Sequence, residues 1–134
     1  MLSREVVIVL ATAPVQAAIP ASEMERAKRF YRDTLGLKIS RETEQAVFFD
    51  SGGTQLFTYP TPDAGQAPTT LASWLVSDLE AEMADLRARG VTFEEYDLPT
   101  LKTVDGVAEL DSVRTAWFRD SEGNILAVSQ MRAG

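Results

Sequence analysis

Asp120-Ser-Glu-Gly-Asn-Ile-Leu-Ala-Val-Ser-Gln130 is the stretch on which the reading of this chain turns. It opens with Asp120, Gly123 and Asn124, residues that accept tight or left-handed backbone, and continues into the apolar run Ile125–Val128. Thr115-Ala-Trp-Phe118 precedes it, so the whole reads as a β-hairpin. Seventy residues upstream, Val47-Phe-Phe49 followed by Asp50-Ser-Gly-Gly-Thr-Gln-Leu-Phe57 repeats the phrase. Two such hairpins at corresponding points of two half-chains indicate an internal repeat.

Working outward, each half carries the same succession. Val15–Ile19 reads as a short strand ended by Pro20, and Ser22-Glu-Met-Glu25 as a capping box. Met24, Ala27, Phe30, Tyr31 and Leu35 share one face of the following helix, which Gly36 closes. Leu37–Ser40, Ala46–Phe49 and Thr54–Tyr59 then read as strands. In the second half Leu71–Val76 is a strand and Ser77-Asp-Leu-Glu80 a second capping box. Leu79, Met83 and Leu86 form its helix stripe, Gly90 its stop, and Val91–Tyr96, Arg114–Arg119 and Asn124–Gln130 its strands. Gly36 and Gly90 are 54 residues apart but the hairpin glycines Gly53 and Gly123 are 70 apart, so about 16 residues are inserted within Asp97–Val113. The expected architecture is α+β: two βαβββ modules in tandem, about 14–60 and about 70–131, with a linker at 61–69. Within one domain, 1–134, they form a curled mixed sheet around a cavity.

Composition narrows the chemistry. A net charge of −7 argues against nucleic acid or an anionic membrane as partner, and no run of sequence is long enough to span a bilayer. There is no cysteine and no histidine, which removes thiolate sites, the commonest metal ligand and the commonest general base. The N-terminus through Ala17 has the outline of a secretion signal, but Glu5 offsets Arg4 and cleavage near Ala17 would remove the first strand. A cytoplasmic location is expected.

Ser22-Glu-Met-Glu-Arg-Ala-Lys-Arg-Phe-Tyr-Arg-Asp-Thr-Leu-Gly-Leu37, Val76-Ser-Asp-Leu79 with Leu86-Arg-Ala-Arg-Gly-Val91, and Trp117-Phe-Arg-Asp-Ser-Glu-Gly-Asn124 resemble the vicinal oxygen chelate superfamily. That group includes glyoxalase I, extradiol dioxygenases, fosfomycin-resistance enzymes and bleomycin-binding proteins. The resemblance spans nearly the whole chain beyond its first dozen residues. It implies a divalent-metal site in catalytic members, with ligands on the first strand of each module and four residues after each hairpin glycine. Here those positions hold Gln16, Leu71, Phe57 and Ala127. One neutral carbonyl is no site for zinc, iron, nickel or manganese, so neither metal nor cofactor is expected.

Alternation along strands extends that set to a cavity wall. Gln16 and Ala18, Phe57 and Tyr59, Leu71 and Ser73, and Ala127 and Ser129 share its parity. Trp117 and Thr115 join them by the resemblance, and Val47 takes the corresponding place in the first half. Trp74, Phe48 and Phe118 are expected to face the helices. The wall suits a flat apolar or aromatic small molecule, and a cationic group on it would be favoured by the acidic surface and aromatic faces. The expected function is metal-independent sequestration of such a molecule, as in antibiotic-binding resistance proteins of that superfamily. The alternative is a metal-free isomerase, cyclase or lyase using Tyr59, Glu94 or Asp97. The insertion, with Lys102 and Asp105–Gly106, is a candidate flap or subunit contact. Arg26, Lys28, Arg29 and Arg32 read as a solvated face. A symmetric homodimer is expected, with Val6–Leu10 as a strand in its interface.

Overall fold

The repeated alternation closes into two open four-stranded mixed sheets of one design. The computed structural model describes residues 10–132. In the first sheet β1 (Ala17–Ala21), β2 (Lys38–Glu42), β3 (Val47–Ser51) and β4 (Thr54–Pro60) lie in the order β1-β4-β3-β2. After β4 come β5 (Thr70–Leu75), the small hairpin β6 (Asp97–Leu98) and β7 (Leu101–Lys102), then β8 (Ala108–Glu109), β9 (Val113–Arg119) and β10 (Ile125–Met131). The second sheet has the order β5-β10-β9-β8. In each sheet the first strand runs parallel to the last, and the other pairings are antiparallel. The edge strands β1 and β5 lie beside one another. Val6–Val9 fall outside the described residues, and Leu10–Thr12 form a 3-10 turn.

Each crossover is a helix: α1 (Met24–Arg29), continued by a π-helical turn over Phe30–Thr34, and α2 (Leu79–Ala88). Ala27 and Tyr31 are fully buried on the first, and Leu79, Met83 and Leu86 are buried on the second. One core joins both modules. Ile19, Val47, Phe49 and Leu56 of the first sheet belong to the same buried cluster as Ala116, Phe118, Leu126 and Val128 of the second.

Several local expectations are corrected. Pro20 lies inside β1 rather than ending it, paired with Tyr59 of β4. An edge strand tolerates proline because its other side has no ladder to supply. Val91–Tyr96 is no regular strand; it contributes one bridge, Phe93 to Phe118, and β8 fills the sheet edge instead. The insertion therefore splits that strand. It is sewn shut by Glu95, whose Oε1 accepts from Thr103 Oγ1 at 3.0 Å and Gly106 N at 2.5 Å. Asp78, not Ser77, caps α2, accepting from Ala81 N.

The cap of α1 is the most informative departure. Ser22 accepts no helix amide, only Arg26 Nη2 at 3.4 Å; Glu23 accepts from Glu25 N, and Ser22 Oγ donates to Glu122 of the other module. Glu122 also accepts from Glu23 N at 2.8 Å and takes both Nε and Nη2 of Arg26, so Arg26 is not merely solvated. Beside it, Asp120 Oδ1 accepts from the amides of Glu122 and Asn124, and Oδ2 from Tyr31 Oη (2.5 Å) and Asn124 Nδ2. Asn124 continues the seam, donating to Pro20 O and accepting from Gly65 N. The turn that marks the repeat thus fastens one module to the other.

Candidate functional site

Because one face of each sheet is committed to the shared core, register alone says which side chains occupy the opposite, open face. In the second sheet Trp117 pairs with Ala127 and Thr115 with Ser129 across β9 and β10, and Ser73 pairs with Ala127 across β5. These five residues share the face opposite the core, where Ser73 is exposed, Trp117 half-buried, and Thr115, Ala127 and Ser129 buried, while Trp74, Phe118, Leu126 and Val128 pack into the core. Leu71 sits at a register shift, half-buried against the core cluster.

In the first sheet Phe57 and Tyr59 are on the open face, flanked by exposed Gln16 and Ala18. Val47 is not. It pairs with fully buried Thr58 and is 3% exposed in the core, while Phe48 pairs with Phe57. The cause lies in the hairpins. The first has a two-residue turn, Gly52-Gly53, between Ser51 and Thr54, and the second has five residues between Arg119 and Ile125. An odd difference in turn length reverses the face of every residue counted back from the turn. Phe48 therefore takes the place expected of Val47.

The open faces carry two aromatic groups. On the first sheet Phe48, Phe57 and Tyr59 form a row, with ring centroids 5.2 Å and then 6.3 Å apart, and the Arg41 guanidinium lies 4.4 Å above Phe48. On the second, Tyr96 meets Trp117 edge-on at 5.6 Å, and Trp117 Nε1 donates to Thr70 Oγ1. No ring contact joins the two groups among the described residues. The polar groups between are mutually paired: Thr115, Ser129 and Ser73 form a hydroxyl ladder, and Gln16 donates to Gln55. Phe48, Arg41, Tyr96 and Thr70 are the residues that sequence reasoning missed. A bulge in β2 and the split strand before β6 hide them from simple alternation.

The other candidate carboxylates are occupied. Glu94 pairs with Arg119 at 2.6 Å, and Asp97 with Lys102 at 3.4 Å on the exposed β6–β7 hairpin. Burial, helped by the charges of Glu94 and Asp120 respectively, pushes the Tyr96 and Tyr31 hydroxyls above their usual range, most strongly at Tyr31. Both remain protonated donors at neutral pH. The insertion does not arch over the open face at Gly106, which packs on Phe93, Met83 and Arg87. An apolar recess of about 190 Å³ lies on the helix side, lined by Leu35, Leu37, Trp74, Val76, Glu82, Leu86, Phe118 and Val128.

A model of the Glyoxalase/Bleomycin resistance protein/Dioxygenase superfamily matches residues 13–128. The chain belongs to that superfamily. Solved superfamily-like folds align along nearly their full lengths. TnmS3, an antibiotic binding protein from Streptomyces sp. CB03234, superposes with a TM-score of 0.65 at 22% identity, covering 87% of this chain and 93% of its own. UcmS2 gives 0.67 at 18% identity, covering 88% and 96%. A lactoylglutathione lyase from Agrobacterium tumefaciens gives 0.64 at 20% identity, covering 89% and 93%. No curated protein matches the chain.

In this superfamily member the positions expected to chelate a metal are Gln16, Phe57, Leu71 and Ala127. Gln16 is exposed and donates to Gln55, Phe57 lies between Phe48 and Tyr59 with its ring tilted to both, and Ala127 is buried beside Trp117. Among the described residues no three Asp or Glu side chains gather as a metal-binding group. This donor set does not fit a transition metal, which needs three or four nitrogen, oxygen or sulfur ligands.

Proposed function

We propose that this chain is a metal-independent binding protein that holds a hydrophobic or aromatic small molecule against the open sheet face. The observation that carries the reading is the row Phe48–Phe57–Tyr59, whose central ring, Phe57, stands at a position where the resemblance implies a metal ligand. Aromatic faces supply apolar area and preferred stacking geometry for a planar guest. Ala18 leaves the strand beside Phe57 low, and on the second sheet Ala127 does the same beside Trp117, so a flat molecule meets rings rather than competing side chains. Exposed Gln16 and Ser73 provide the few amide and hydroxyl groups that fix orientation in such sites, with the buried Thr115–Ser129 pair behind Ser73. The antibiotic-binding relative of similar fold supports this class of function.

Native mass spectrometry of protein purified from its source identifies the guest. Incubation then returns it unchanged; recovery of a chemically altered molecule would instead establish the metal-free enzyme, with Tyr59 the open-face acid or base. Phe57→Ala is expected to weaken binding of the identified guest about 5- to 100-fold, the range for an aromatic anchor.

The binding form is a cytoplasmic symmetric homodimer. Leu75 and Met131 are 69% and 57% exposed at the edge of the second open face, and pairing two copies would cover them. Sedimentation at micromolar concentration should give twice the 14.7 kDa of the chain; a monomer alone refutes the dimer.

A further inference from the structure

We infer that the open face of the first sheet selects planar aromatic anions, with the ring on Phe57 beside Phe48 and the negative group between Lys38 and Arg41. The inference rests on the binding function proposed above and adds the charge of the guest. It comes from a bulge. Lys38 pairs with Asp50 and Ile39 with Phe49, but Arg41, not Ser40, pairs with Phe48. Residues three apart on a regular strand point to opposite faces. With Ser40 expelled from the ladder, Lys38 and Arg41 both join the open face that carries Phe48, Asp50 and Phe57.

The bulge is held in place. Ser40 Oγ donates to Phe48 O and accepts from Gln55 Nε2 at 2.9 Å. The same amide donates to Asp50 Oδ1 at 3.2 Å, keeping the one acid of this patch engaged along the strand. Among the described residues Lys38 and Arg41, like Arg29 and Arg87 on the helices, have no ion-pair partner, whereas Arg26, Lys28, Arg32, Arg89, Lys102, Arg114, Arg119 and Arg132 are paired. In a chain of net charge −7, two unpaired cations beside a row of rings form a local reversal of sign. The Arg41 guanidinium already sits 4.4 Å from the Phe48 ring centroid, which puts its N–H groups within reach of the carboxylate or phenolate of a molecule stacked on the neighbouring Phe57.

Three naphthalene probes separate the contributions in calorimetry: 2-naphthoate, 2-naphthalenemethanol and 2-naphthylmethylammonium. The wild-type protein should bind the anion about five- to tenfold more tightly than the alcohol, and the cation more weakly still. Arg41→Gln and Lys38→Gln should each reduce the anion's advantage, and the double variant should abolish it while binding the alcohol as before. Arg41→Lys should keep part of it. Both residues are exposed, so the variants fold. Equal binding of alcohol and anion by the wild type, or a preference untouched by the double variant, overturns the charge selection and leaves the aromatic binding function standing. Failure of all three probes overturns both together.

Discussion

The two hairpin turns of the repeat begin with the same residues, Asp-Ser, and have opposite fates. Asp50-Ser-Gly-Gly-Thr54 is a tight turn in solvent, with both glycines at positive φ and nothing near where a Cβ would stand. Its link across the modules is Ser51 Oγ, which accepts from Trp74 Nε1. At Asp120-Ser-Glu-Gly-Asn124 all five residues lie outside the ladder, three more than the two of the first turn, and Asp120, Glu122 and Asn124 are 6%, 8% and 2% exposed. Those residues bind α1, β1 and the segment between the modules. The extra length has two consequences: it brings carboxylates into the seam between modules, and it reverses the face of the preceding strand. A repeat read from similarity of its turns is therefore not a repeat of their work. One turn stands in solvent and reaches across only through Ser51, and the other joins the halves.

The contrast breaks most visibly at the two aspartates. Asp120→Ala would strand Tyr31 Oη, Asn124 Nδ2 and two backbone amides inside the protein, and should cost about 3–5 kcal/mol in urea unfolding. Asp50→Ala removes an exposed acceptor for Gln55 and should change stability by no more than about 0.5 kcal/mol. Similar costs at the two positions would mean that the second turn is not the joint.

Acid titration addresses the same joint through Glu122. Burial alone would raise its pKa, but hydrogen bonds from Arg26, Glu23 N, Ser121 and Ser22 outweigh that and hold it at about 2, against an ordinary 4.5. A carboxylate depressed in the folded state stabilises the protein above its unfolded pKa and loses that contribution as pH falls through the folded one. Stability should therefore drop by up to about 3 kcal/mol between pH 5 and pH 2 from this group. Glu122→Gln should be less stable at pH 7 and show a smaller acid loss, measured as denaturation midpoint against pH. A variant with an unchanged profile would remove Glu122 from the joint.

How the modules meet was only partly legible in the sequence. The tandem modules, both helix faces and the second open face follow from alternation, and Trp117, Thr115, Ser73, Ala127 and Ser129 lie together as parity requires. Parity failed at Val47, because face is counted through a turn whose length differs between the halves, and at Arg41, because a bulge drops one residue from the ladder. The α1 cap failed differently. Ser22 and Glu25 satisfy a local capping pattern, yet a carboxylate one hundred residues away takes the Ser22 hydroxyl and Glu23 N and brings Arg26 with it, leaving Glu23 to cap Glu25 N. Local patterns cannot rank a distant competitor.

Glycines sharpen the comparison at smaller cost. Gly52 and Gly65 both have positive φ, at 55° and 77°, so alanine strains the backbone at each. They differ in surroundings. A Cβ on Gly65 would stand 2.3 Å from Glu122 O, whereas Gly52 has nothing within 4 Å. Thermal unfolding should show Gly52→Ala costing about 1 kcal/mol and Gly65→Ala about 2–3 kcal/mol, the difference being the clash with the joint.

The smallest effect has the opposite sign. Thr58 and Val128 are corresponding residues, each five after its hairpin glycine, and both point into the shared core. Thr58 is fully buried, and its Oγ1 has no hydrogen-bond partner. A hydroxyl brought out of water without a partner carries a desolvation penalty of about 1–3 kcal/mol, and valine has nearly the same shape without it. The equivalent strand of the second sheet already uses valine there. Thr58→Val should therefore stabilise the protein by about 1 kcal/mol, raising the thermal midpoint, and should leave ligand affinity unchanged because the open face is on the other side of β4. A loss of stability would show that the hydroxyl is hydrogen-bonded in solution, with an internal water as its partner, and that the first sheet's core face is wetter than the second's.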